Sequence, residues 1–195
     1  MTQFRNVRPA ILDRVERMGY PVFENGDYDV NIIGVRSANR QAGAFDDVIH
    51  LAYKTDGQWM HFEFCATTDP GIYWLQNGRS EGTAILVPGH YRGCWQLGLH
   101  RGKYKALTQC KPVQVYRDNN RDDIIDMIEE NIDEGIFGIN IHRAHSTAEV
   151  QSVGKYSAGC QVIQRSFDFG VLIRACEEQV ASRGWHTFSY TLIEE

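Results

Sequence analysis

The sequence lacks several features that would assign it to a special class of protein. It has no run approaching the roughly 20 apolar residues of a membrane-spanning helix. It also has no excess of positive charge, since its formal net charge is −5, and nucleic-acid partners usually require a basic surface. With 43% hydrophobic and 23% charged residues, the composition predicts a folded globular protein with no integral membrane segment and no nucleic-acid partner.

The beginning of the chain has little resemblance to an export signal. Residues 1–20 carry charges throughout and contain no apolar segment of the length that a signal peptide needs. We therefore expect a protein that is cytoplasmic at synthesis.

The cysteines lack the spacing of a metal-binding or disulfide framework. None forms a CxxC pair, and the odd number leaves at least one thiol unpaired, which favours reduced thiols. We expect most of them to be small buried side chains, with Cys65 in a strand and Cys176 in a helix. Only Cys160 stands among glycines and small polar residues. The five are Cys65, Cys94, Cys110, Cys160 and Cys176.

Strand patterns dominate residues 28–117. Short runs of β-branched and aromatic residues alternate there with Gly, Pro, Asn and Asp. Asp56 and Gly57 form the dipeptide that favours a tight hairpin turn between two of these runs. The predicted fold class is α+β, with a β-rich sheet or barrel core and peripheral helices.

Helical patterns occur outside that region. Apolar spacing predicts a helix from Pro9 to Met18 that stops at Gly19, a second over residues 118–130, and a third from Phe167 to Val180. The last apolar run, residues 186–194, predicts a final strand.

His142 and Cys160 are the candidate catalytic pair. His142 closes a predicted strand over residues 138–142, and Cys160 opens the next predicted strand. A thiol attacks a carbonyl as the thiolate and therefore needs a nearby base. Gly159 allows a tight turn that can aim backbone amides at the oxyanion. The pattern predicts an activated cysteine nucleophile with a histidine base.

The segment from Gly138 to Val162 resembles the active-site stretch of the L,D-transpeptidase family. That family's signature is a histidine, a variable loop with glycine, and then Ser-x-Gly-Cys. The matching positions are His142, Gly154, Ser157, Gly159 and Cys160. The resemblance implies one catalytic domain over residues 1–195 with a β-rich L,D-transpeptidase-like core, in which residues 1–27 form an N-terminal helical extension.

Two further segments resemble phage-encoded proteins of the same catalytic type. They are PGHYRGCWQLGLHRGKYKAL and KPVQVYRDNNRDD. This likeness implies an endolysin-like protein that degrades the cell wall, either during host lysis or as part of a virion.

The family resemblance also implies a role for each site residue. Cys160 is the nucleophile and His142 the base, while Gly159, Ser157 and Ala158 form the oxyanion loop. The candidate substrate-binding residues are Arg143, Tyr156, Arg165, Tyr91, Arg92 and His100.

Two positions depart from the family pattern. Arg143 stands where the family has glycine, and Val162 stands where it has an arginine that helps to hold a substrate carboxylate. Arg143, Arg165 or an arginine between residues 91 and 101 could replace that charge.

The predicted function is hydrolysis of a peptidoglycan stem peptide, as an L,D-carboxypeptidase or endopeptidase that forms a thioester acyl-enzyme without a cofactor. The alternatives are an L,D-transpeptidase, and a non-catalytic virion or cell-wall binding protein on the same fold. A third possibility is a zinc hydrolase built on His61 and Glu63, with His50, His90 and His100 as further ligands. Because no metallopeptidase signature is present, we expect His61 and Glu63 to form a cross-strand polar pair or part of an active-site wall, with no metal.

Overall fold

The computed structural model describes residues 7–195 as a strand-rich chain with three α-helices. The strands are β1 (Asn31–Arg36), β2 (Asp47–Thr55), β3 (Gln58–Thr67), β4 (Thr83–Leu86), β5 (Gly89–His100), β6 (Tyr104–Gln109), β7 (Val113–Asp118), β8 (Ile132–Gly135), β9 (Ile141–Arg143), β10 (Gln161–Ile163) and β11 (Thr187–Glu194). The helices are α1 (Ala10–Arg17), α2 (Ile72–Asn77) and α3 (Ser166–Arg183), with a 3-10 turn at Glu129–Asn131.

Eight strands close into a barrel in the order β1-β11-β5-β6-β9-β10-β3-β2. Its neighbours are antiparallel except for β1 with β11 and β9 with β10, which are parallel. Strands β4, β7 and β8 form a separate antiparallel sheet. The predicted α+β class with a β-rich barrel core and peripheral helices is confirmed. No helix within residues 7–195 has the length and apolar character needed to cross a bilayer.

Alternation along the strands separates the barrel core from its outer face. Ile49 and Leu51 of β2 and Phe64 of β3 belong to the main core, to which α3 also contributes. Helix α1 packs Leu12 and Val15 on the outer face of β1, β2 and β3. Each such fully buried aliphatic side chain stabilises the fold by about 1.5–3 kcal/mol.

Several local predictions agree with the structure. Helix α1 begins directly after Pro9, and the chain leaves it through Gly19 at φ +82°. The hairpin between β2 and β3 turns through Asp56 and Gly57, both at positive φ, which is the geometry of a type I′ turn. Helix α3 and strand β11 also lie where the sequence predicts them. The first six residues of the expected N-terminal extension fall outside the described residues.

The helix predicted over residues 118–130 is wrong. Strand β7 ends at Asp118, whose carboxylate accepts the Asp126 backbone N–H at 3.0 Å. The Asp122 side chain accepts the Ile124 N–H at 2.8 Å. Such local side-chain bonds compete with helical hydrogen bonding, and this segment has many Asp and Asn residues. Its one well-buried isoleucine, Ile125, packs in a small separate core.

The cysteines divide between buried and exposed positions. Cys176 is fully buried in α3, as predicted, and Cys94 is buried in β5. The expectation for Cys65 is wrong, because its side chain is exposed. Strand β3 does contain Cys65, but alternation turns Phe64 and Ala66 into the core and Cys65 outward.

A buried polar network connects β1 to the small sheet. The fully buried Arg36 forms an ion pair with Asp69 at 2.9 Å and donates to the carbonyl of Leu86 in β4 at 2.9 Å. Asp47 accepts the Thr68 backbone N–H at 2.6 Å. Burial raises the pKa of Asp69 to about 7, although the Arg36 charge opposes the shift. Arg36 of β1 therefore connects the barrel to the small sheet through its hydrogen bond to Leu86 of β4.

We expect Arg36→Met to lower the free energy of unfolding by about 3–5 kcal/mol, because it leaves a buried carboxylate without its partner. Urea unfolding at pH 8 measures the loss. The loss should shrink at pH 5, where Asp69 binds a proton and no longer carries a buried charge. Arg40→Met is the control, since Arg40 forms a half-exposed pair with Glu194 and should cost no more than about 1 kcal/mol. Equal losses in the two variants would contradict the assignment.

Candidate active site

The parallel strands β9 and β10 place His142 and Cys160 on neighbouring strands, and no hydrogen bond joins the Cys160 thiol to His142 Nε2. Gln161 pairs with Ile141 and Val162 with His142, and the Gln161 N–H donates to the Asn140 carbonyl at 2.9 Å. Strand alternation then directs Cys160 and His142 to the same face. Both strands are shorter than predicted, so His142 lies within β9, and Cys160 immediately precedes β10.

The hydrogen bonds of His142 select the tautomer of its ring. Nδ1 lies 2.8 Å from the Arg143 carbonyl oxygen, which can only accept, so Nδ1 carries the proton. The lone pair is therefore on Nε2. Nε2 is buried and has no hydrogen-bond partner among residues 7–195. The side chain thus presents a basic nitrogen that is held in orientation from its opposite side.

Burial favours the neutral form of both His142 and Cys160. Burial lowers the pKa of His142 to about 3, an effect that the nearby His100 reinforces and the Arg143 carbonyl opposes. Burial raises the pKa of Cys160 to about 11, against the Asn140 backbone N–H and the Arg101 charge. Attack by this thiol on a substrate would therefore require deprotonation during the same step, as in general-base catalysis.

Three residues that sequence reasoning did not single out complete the surroundings of the dyad. The Tyr104 hydroxyl lies 3.3 Å from His142 Nδ1. Asn140 places its side-chain amide 3.2 Å from His100 Nδ1, and Gly138 offers its carbonyl to the Cys160 thiol at 3.4 Å. The sequence could have indicated Tyr104 as a neighbour of His100, because the two residues flank a short Gly-containing turn and therefore pair across a hairpin.

The loop before the cysteine is held in one conformation by its own hydrogen bonds. The buried Ser157 donates from Oγ to the Cys160 carbonyl at 2.8 Å and accepts the Gly159 N–H at 3.1 Å. Gly159 has φ +111°, and a Cβ there would lie 2.3 Å from the Ala84 carbonyl oxygen, so only glycine fits. Ala158 is exposed. Since the Gly159 N–H is already bonded, the candidate backbone donors for an oxyanion in this loop are the Ala158 and Cys160 N–H groups.

The structure places two of the predicted substrate-binding residues beside the dyad. His100 is buried, and its ring stacks on that of His142 with centroids 4.0 Å apart. The Arg143 guanidinium lies 4.4 Å from the Tyr104 ring centroid and donates to the Ser146 carbonyl. Tyr156 is half-buried in the loop before the cysteine, where its N–H donates to the Val153 carbonyl.

The other three predicted residues are not gathered at this site. Tyr91 and Arg92 lie near the start of β5 and His100 at its end, roughly 30 Å away along the strand. The Tyr91 hydroxyl donates to the Val87 carbonyl. Arg165 forms a bidentate ion pair with Glu149, with N···O distances of 2.8 and 3.1 Å.

Arg101 is an exposed cation whose charge acts on the thiol of Cys160. It follows His100 in the turn between β5 and β6 and is exposed. Within the described residues it has no hydrogen bond or ion pair. Its charge opposes the burial-induced rise in the Cys160 pKa, which indicates proximity.

The residues of the alternative zinc site are only partly assembled. His50, His61 and Glu63 lie together on the outer face of β2 and β3. His90 is elsewhere, with Nδ1 2.8 Å from the Thr191 hydroxyl, and His100 lies beside the dyad.

No protein-family model and no curated protein matches this chain. The L,D-transpeptidase resemblance therefore stays a prediction that rests on the segment containing His142 and Cys160.

We expect iodoacetamide to modify Cys160 slowly at pH 7 and progressively faster as the pH approaches 11. The thiolate is the reactive form, and burial raises the pKa of this thiol to about 11. Peptide mapping by mass spectrometry after timed labelling gives the rate at each pH. A labelling midpoint below about pH 8 would instead indicate a thiolate–imidazolium pair, and the neutral dyad would be wrong.

Proposed function

We propose that this protein is a cysteine-dependent hydrolase of peptidoglycan stem peptides, acting as an L,D-carboxypeptidase or endopeptidase at the cell wall. The observation that carries the proposal is the orientation of His142. The Arg143 carbonyl binds Nδ1–H, which leaves the Nε2 lone pair on the strand face shared with Cys160. A thiol and an oriented imidazole are the two groups that acyl transfer requires, and substrate binding would have to bring them within hydrogen-bond reach.

The neutral dyad fits a mechanism in which proton transfer accompanies attack. Nε2 of His142 takes the Cys160 proton while the sulfur bonds to the substrate carbonyl carbon, whose oxygen becomes the oxyanion. When the tetrahedral species collapses, the C–N bond breaks, and the leaving amine takes the proton from His142. Water, deprotonated by the same nitrogen, then hydrolyses the thioester and restores the thiol.

The local structure supports this cycle in two ways. His142 is buried and stacked on His100, so its ring is held in position as the proton moves. The Cys160 N–H belongs to the nucleophile's own residue and is a candidate donor to the oxyanion. The likeness of two upstream segments to phage-encoded proteins supports a role in host lysis or in a virion.

A second candidate function is non-catalytic binding of cell-wall peptide on the same fold. The raised pKa of Cys160 and the bonded Gly159 N–H favour it, because both weaken the machinery expected of a cysteine enzyme. Transfer of the acyl group to an amine, as in an L,D-transpeptidase, would use the same thioester and differ only in the acceptor.

We expect the wild-type protein to cleave purified muropeptides and Cys160→Ala to lose turnover completely, since no other group supplies the nucleophile. His142→Gln should lower kcat by roughly 10²–10⁴-fold. Mass analysis of the products identifies the bond cut and separates hydrolysis from transpeptidation. Cys65→Ala is the matched control, because that thiol is exposed and outside the dyad. Binding of muropeptide without any product from the wild type would favour the non-catalytic alternative.

We expect Arg101→Ala to lower kcat/KM for a stem peptide with a free carboxylate by roughly 10- to 100-fold, the effect of losing one charge-assisted hydrogen bond. An amidated version of the same peptide should respond much less. Arg165→Ala is the control, since Arg165 is engaged by Glu149 and should leave both substrates unaffected. Equal losses on the two peptides would exclude recognition of the carboxylate by Arg101.

A further inference from the structure

A second chemical cluster lies on the outer face of the barrel, on strands that do not carry the dyad. His61 and Glu63 alternate along β3 on one face, and His50 of β2 stands directly opposite Glu63. The planes of the two imidazole rings are nearly parallel, with centroids 5.3 Å apart, and a hydrogen bond joins His50 Nδ1 and His61 Nε2. Strand register thus brings two histidines and one carboxylate together.

The ligand atoms of this cluster converge on one point. His50 Nδ1 lies 3.0 Å from His61 Nε2, and Glu63 Oε1 lies 3.7 Å from the first nitrogen and 4.0 Å from the second. A point equidistant from these three atoms is about 2.1 Å from each, which is the length of ordinary Zn–N and Zn–O bonds. A bound metal ion would replace the hydrogen bond between the two imidazoles, and both rings would have to rotate so that their lone pairs point to the ion.

The three ligand side chains differ in exposure. His50 is 12% exposed and held between the strands, whereas the Glu63 side chain is 64% exposed, so its carboxylate can turn toward a cation.

The cluster faces a cavity of about 980 Å³ between helix α1 and the outer strands. Trp59 and Val35 form part of the wall, and Arg14 lines the side formed by α1. Three protein ligands leave at least one coordination position of a zinc ion unfilled. The cavity gives a water molecule or small ligand access to that position.

We propose that His50, His61 and Glu63 form a binding site for a divalent transition-metal ion of the Zn²⁺ type, with an open coordination position toward this cavity. Two imidazoles and one carboxylate are a ligand set that zinc accepts. The site uses β2 and β3, whereas the dyad uses β9 and β10. It is independent of thiol chemistry.

Calorimetric titration of ZnCl₂ into chelator-treated full-length protein tests the site. We expect one equivalent to bind, with affinity at least roughly tenfold weaker in His61→Ala and Glu63→Gln, because each loses a ligand. His186→Ala is the matched control at an exposed histidine outside the cluster. Cys160→Ala should bind like the wild type. Co²⁺ bound to the wild type should show no thiolate charge-transfer absorption.

The outcomes separate this site from the proposed hydrolase. Absence of binding, unchanged affinity in both ligand variants, or loss of binding in Cys160→Ala would each overturn the proposal. Circular dichroism checks folding of every variant, and the exposed Glu63→Gln keeps the test valid if a histidine variant fails to fold. Muropeptide cleavage is not part of the readout, so failure of the metal site leaves the hydrolase proposal standing, and the reverse also holds.

Discussion

The parallel pairing of β9 with β10 is the constraint on which the site depends. Each strand has three residues, and together they close the barrel between β6 and β3. A parallel pair requires a long crossover, and here the crossover is residues 144–160. It is tied down by the buried Ser157, whose carbonyl accepts the Gly71 N–H at 2.9 Å. The strand pairing that closes the sheet therefore also positions His142 and Cys160.

Burial then decides the electrostatics of the dyad. Burial of His142 and partial burial of Cys160 disfavour the charged form of each, so the pKa of the base falls and that of the thiol rises. The outer-face cluster obeys the same rule, since burial lowers the pKa of His50. In the proposed functions, the neutral His142 ring receives a proton from a thiol, and the neutral His50 ring ligates a metal ion.

Local sequence predicted the elements whose stability is local. The pattern around α1, the Asp56–Gly57 turn and the apolar spacing of α3 each specify one structure over a few residues. The same reasoning failed over residues 118–130, because helical spacing of isoleucines competes there with Asp and Asn side chains that bond to the nearby backbone. Two competing local signals cannot be ranked without knowing which isoleucine is buried.

The sequence by itself determined the β-rich α+β class and singled out His142, Cys160 and the glycine between the serine and the thiol. Tertiary structure decided the rest of the site. Only the register of β5 with β6 brings Tyr104 to His142, and only the length of β5 separates Tyr91 from His100. The physical reason is that strand pairing joins residues far apart in sequence, and burial, which sets the proton affinity of each group, depends on everything packed around it.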